Sequence, residues 1–138
     1  MKQSIVPKPT VLMYNMGGTR GDPWRITAQQ LGIQLRAVHP SEYDLEIGKL
    51  LRTGSCGKSE PVMGFLEPML LMAFFPKGML DIFLQTAYGL GAEKIALKAV
   101  LTPANAFWSS NCLYEELQKE REAIVTRGAS KKRNSTIQ

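Results

Sequence analysis

Four short apolar runs recur along the chain: TVLMYNM (10–16), IQLRAVH (33–39), PMLLMAFF (68–75) and IALKAVLT (95–102). Each reads as a strand, and helix signals follow each one. This alternation limits the fold more than any other feature. A strand, a crossover helix and a second strand build a parallel sheet covered by helices. Right-handed crossovers then leave few topologies.

The intervening segments carry their own start and stop signals. In DPWRITAQQLG, Asp22 can cap a helix, Pro23 suits its first turn and Gly32 can end it. A short helix is expected within SEYDLEIGKLL. PKGMLDIFLQTAYGLG reads as a longer one, with Pro76 near its start and Gly89 or Gly91 at its end. The last helix opens at TPAN, where Thr102 or Asn105 serves as cap. It places Ala106, Leu113, Leu117 and Ile124 on one face, with Glu115 and Lys119 one turn apart.

Polarity sorts the strands. The first and third runs are apolar throughout, as central strands are. Gln34 and Arg36 interrupt the second, and Lys98 stands in the middle of the fourth, a common device at a sheet edge. The expected fold is α/β: a single-domain, parallel four-stranded (βα)4 sheet in order 2-1-3-4, with helices on both faces. No internal repeat is visible. The expected organisation is an N-terminal extension at 1–9, one domain at 10–127 and a basic, disordered tail at 128–138.

Charge supports the last boundary. The formal charge is +5, with 17 basic and 12 acidic residues among 138. Arg127, Lys131, Lys132 and Arg133 all lie in RGASKKRNSTIQ, which has no acid. The basic excess belongs to that tail rather than to a folded surface, so specific nucleic-acid binding is not expected. Only Cys56 and Cys112 are present, which fits a reduced cytoplasm better than a disulfide framework. The apolar blocks are too short to span a bilayer. A soluble, cytoplasmic protein with no membrane partner is expected.

Several familiar chemistries drop out. GSCGKS ends like a phosphate loop, but Arg52 stands where the first glycine should be, and Glu60-Pro61 follows where a helix should begin. The stretch reads as a linker. An aspartate-phosphorylating receiver domain needs acids after the first strand and at the end of the third, where YNMGG and AFFP stand. One histidine and two scattered cysteines make no metal site. Trp24 and Trp108 fall on expected helices as packing residues.

What remains is a set of strand-end residues. Asn15, His39, Thr102 and Asn105 lie at or just past carboxyl ends of expected strands, where open α/β sheets bind ligands near the point of reversed strand order. That point falls beside Asn15 and Phe75. The loop YNMGGTRGD adds Gly17, Gly18 and Arg20, whose backbone N–H groups and charge could hold an anion. It lacks the full dinucleotide fingerprint, and Asp22 would oppose an anion. Each residue also has a structural reading: His39 closes a strand, while Thr102 and Asn105 are cap types.

The phrases YNM, LGIQLRAV, EPMLLM and KAVLTPANAFW followed by LYEEL resemble a family of small bacterial proteins of unknown function. The resemblance spans residues 11–122 and is most specific for Lys98, Thr102, Pro103, Asn105 and Trp108. It implies a cytoplasmic bacterial protein and assigns no catalytic residue. The first functional reading is a non-enzymatic α/β module that binds an unknown protein or small-molecule partner. Its two sheet edges leave a homodimer open. The alternative is an enzyme or cofactor binder that holds a phosphate-containing ligand through the loop after the first strand. No cofactor is identified.

Overall fold

The computed structural model describes residues 8–52 and 64–137, with side chains as far as 123. The GSCGKS stretch, Cys56 and most of the extension at 1–9 lie outside the described residues. Two strand–helix–strand units make up the sheet. The first is β1 (Thr10–Tyr14), α1 (Asp22–Leu31) and β2 (Gln34–Ala37). The second is β3 (Met69–Ala73), α3 (Met79–Gly89) and β4 (Leu97–Val100), with α2 (Ile47–Arg52) between the units and α4 (Ser110–Ile137) after them. The α4 backbone thus continues past residue 127, where the sequence reading ends the domain.

The strand order is β2-β1-β3-β4, as the strand polarities indicate. The sheet is not all parallel. β1 pairs with β2 and β3 with β4 in parallel, but β1 and β3 run antiparallel, with Leu12 opposite Leu71. The reason lies in the link from β2 to β3. A parallel β3 would require the chain to return along the whole sheet, about 17 Å for a five-residue strand. Among the described residues of that link the only α-helix, α2, has six residues, a rise of about 9 Å, too short to serve as the crossover. β3 starts at the end where β1 and β2 finish. The carboxyl ends of β1 and β2 lie at one end of the sheet, and those of β3 and β4 at the other.

Both faces are covered. Alternate residues of the central strands supply each core: Val11, Met13, Leu70 and Met72 pack under α1 and α3 with Trp24, Ala28, Phe83 and Ala87. Leu12, Tyr14, Met69 and Leu71 pack on the other face with Ile47 and Leu50 of α2 and Leu113 of α4. Trp24 is fully buried, 5.4 Å from the Phe83 ring, and Trp108 packs against the second core. Both tryptophans are packing residues.

Helix ends depart from expectation in detail. Asp22 is the first residue of α1 rather than its cap, which is Gly21; Gly32 closes the helix in the left-handed region at φ 71°. α3 begins at Met79, three residues after Pro76, and ends at Gly89. Thr102 and Asn105 hold a 3₁₀ turn at Asn105–Phe107, and α4 is capped later, where Ser109 Oγ accepts from the Cys112 N–H at 3.1 Å. Lys119 pairs with Glu116 at 3.2 Å rather than with Glu115.

Candidate functional site

The antiparallel central pair divides the expected strand-end cluster. Asn15, Gly17, Gly18, Arg20 and His39 stand at one end of the sheet, with Thr102 and Asn105 at the other.

At the first end, Asn15 follows β1 at φ 60°, a conformation that asparagine tolerates better than most residues. Its Nδ2 donates to the Phe65 and Glu67 carbonyls at 3.0 and 2.9 Å, and its Oδ1 accepts from the Tyr43 hydroxyl at 2.9 Å. Both amide hydrogens and one oxygen lone pair of the side chain are thus used to fix the approach to β3. Burial raises the Tyr43 phenol above its ordinary value, against the opposing effect of the Asn15 bond. Phe65 lies between Tyr43 and Tyr114, with centroids 4.8 and 4.3 Å away. Beyond this stack opens a cavity of about 550 Å³, whose described lining includes Asp44, Asn111 and Glu115. Asn111 Nδ2 donates to Asp44 Oδ1 at 3.0 Å.

Glu67 ties this end to α4. Arg121 grips its carboxylate with two bonds of 3.0 and 2.8 Å, and the Tyr114 hydroxyl adds a third at 3.0 Å. The guanidinium holds the Glu67 carboxyl below its usual range. Tyr43, Phe65, Glu67, Tyr114 and Arg121 did not emerge from the sequence. Tyr114, Gln118 and Arg121 do form a polar stripe at helical spacing beside Leu113 and Leu117, and that stripe was a readable signal.

The glycine loop is held from within. Arg25 donates to the Met16 and Gly18 carbonyls and pairs with Asp22 at 3.1 Å, while Arg20 pairs with exposed Glu93 at 3.3 Å. The contacts of this loop are carbonyls turned onto a guanidinium, the reverse of an anion nest. Gly21 is required, because a Cβ there would stand 2.3 Å from the Met16 carbonyl oxygen. His39 is exposed and caps a 3₁₀ turn: its Nδ1 accepts from the Ser41 N–H at 3.1 Å, and its own N–H donates to Glu42 at 3.0 Å. Buried Glu42 also takes Arg36 at 2.6 Å, and Arg36 reaches the Leu50 carbonyl at 3.1 Å.

At the second end, β4 is an outer strand. Register and the Leu101-to-Met72 bond direct Ala99 and Leu101 toward β3, so Lys98 and Val100 turn their N–H and C=O outward. Asn105 intervenes here. Its Nδ2 donates to the Val100 carbonyl at 3.1 Å, while reciprocal bonds of 2.8 and 3.0 Å join it to Thr102. The strand therefore presents two outward N–H groups and one carbonyl. Beside it, between β4 and α4, lies a groove of about 300 Å³ with Ala99, Trp108, Leu113 and Leu117 in its wall. Lys98 lines it on the strand side and Glu120 on the helix side. The Lys98 Nζ donates to the Ile95 carbonyl; burial first, then Lys94, lowers its pKa.

Among the described residues, no group of three or more His, Cys, Asp or Glu is placed to hold a metal. No helix of the described residues is long and apolar enough to cross a membrane. No curated protein matches the chain, and no solved structure does either. KAVLTPANAFW and LYEEL fall within the segment that matches a known family model, whereas YNM and LGIQLRAV fall outside it. The groove between β4 and α4 is built from that same segment: residues 68–124 match the model described as a domain of unknown function, DUF3783.

Proposed function

We propose that the chain is a non-enzymatic binding module that takes an extended peptide against the outer edge of β4. One observation carries this: among the described residues, the outward N–H groups of Lys98 and Val100 and the Lys98 carbonyl have no partner, beside a groove under α4 whose wall mixes Ala99, Trp108, Leu113 and Leu117 with Glu116 and Glu120. Strand addition uses main-chain bonds for affinity and flanking pockets for alternate side chains. Two widely separated cysteines suit a cytoplasmic setting.

Val100→Pro is the direct test. The substitution deletes an outward N–H without touching the β3 ladder, and proline is tolerated at such edge positions. Peptides selected from a displayed random library on the wild-type chain should lose binding to Val100→Pro, while its thermal transition stays close to wild type. Binders that ignore the substitution, or a library that yields none, would refute the proposal.

A further inference from the structure

Resting on the strand-addition reading, we infer that the partner strand places a carboxylate side chain opposite Lys98 with apolar residues on either side, and that Lys98 is the residue that selects it. Among the described residues, Lys98 is the one position of β4 with both outward main-chain groups unpaired, because Asn105 occupies the Val100 carbonyl. An antiparallel partner residue that exchanges both bonds with Lys98 comes within about 5.5 Å, Cα to Cα, with its side chain on the same face. Its two neighbours then point to the opposite face. That face of β4 carries Leu97 and Ala99, which pack with Leu113, Leu117 and Trp108, so apolar side chains suit it next to the strand, while Glu116 and Glu120 on the helix side of the groove disfavour acids there.

The charge follows from what surrounds Lys98. Its ammonium is partly buried and bonded to the Ile95 carbonyl. No carboxylate of the described residues lies within ion-pair distance of it. Lys94 acts on it as a like charge. A carboxylate brought alongside gives this cation the partner it lacks. A second copy of the chain fits worse. A symmetric register pairing Lys98 with Val100 of the copy needs the carbonyl that Asn105 holds. A register centred on Val100 against Val100 needs the same carbonyl, and one centred on Lys98 sets it directly against Lys98, where like charges repel.

The test uses short peptides of alternating apolar residues that differ at one central position, Glu, Gln or Lys, titrated into the isotope-labelled chain. The amide signals of Lys98 and Val100 report where they bind. The Glu peptide should bind roughly tenfold more tightly than the Lys peptide. Lys98→Glu should invert that ranking and Lys98→Gln should flatten it, with melting curves confirming that both variants fold. Equal affinities with shifts at Lys98 and Val100 would overturn the charge assignment and leave strand addition standing. Peptides that move neither amide would overturn both. Concentration-dependent dimerisation that protects the same two amides would identify a second copy as the occupant and overturn the inference.

Discussion

The two strand–helix–strand units are built alike and finished differently. Each has a central strand that is buried throughout except at Thr10, a crossover helix on the same face of the sheet, and an outer strand parallel to the first. Each central strand also ends in a non-glycine residue with positive φ: Asn15 at 60° after β1 and Phe74 at 64° after β3. Asn15 spends its side chain on three hydrogen bonds, whereas Phe74 has no such groups and is 41% exposed. The outer strands differ in the same sense. On β2, Arg36 is satisfied by buried Glu42 and the Leu50 carbonyl. On β4, Lys98 has a carbonyl and, among the described residues, no carboxylate. One unit uses its polar residues to lock the fold; the other leaves main-chain groups and a cation beside a groove. The proposed binding edge lies in the second unit.

The sharpest way to break the comparison is Glu42→Ala. Loss of this buried partner takes the Glu42 carboxylate from Arg36 and the acceptor from the His39 N–H, and should cost about 3–5 kcal/mol. A loss under about 1 kcal/mol in denaturant unfolding would mean that the first unit is not locked there. Asn15→Gly keeps the backbone conformation but removes three bonds, and should cost about 2–3 kcal/mol. The matching change in the second unit, Phe74→Gly, should stay within about 1 kcal/mol of wild type, because relief of the left-handed backbone offsets the lost contact. Equal costs for these two would erase the distinction between the units.

Much of this was legible in the sequence. The apolar runs marked all four strands, and Gln34, Arg36 and Lys98 sorted edges from centre. Orientation was not legible, because alternation treats every helix as a crossover and α2 is too short to be one. That error also merged two ends of the sheet into one expected site. Thr102 and Asn105 were readable as cap types from their spacing. The partners of Asn15 were not: Tyr43 lies 28 residues away, and Phe65 and Glu67 lie 50 and 52 away. Contacts at such separations leave no local pattern.

A smaller effect concerns pH. The folded-state pKa of Glu67 is depressed by Arg121, so its contribution is present above the ordinary glutamate value and is lost as pH falls through the depressed one. Because Glu67 and Arg121 are both more than a third exposed as side chains or close to it, the loss should stay below about 1 kcal/mol. Arg121→Gln should remove this part of the acid dependence; an unchanged stability profile below the ordinary glutamate value of 4.5 would show that the pair contributes nothing.

Amide hydrogen exchange along β4 tests the central claim most directly. In the free chain, the Ala99 and Leu101 amides should be protected by β3, and the Lys98 and Val100 amides should exchange rapidly. With a selected peptide bound, Lys98 and Val100 should become slow while Ala99 and Leu101 change little. Protection at Lys98 and Val100 in the free chain, or rapid exchange there in the saturated complex, would contradict the account.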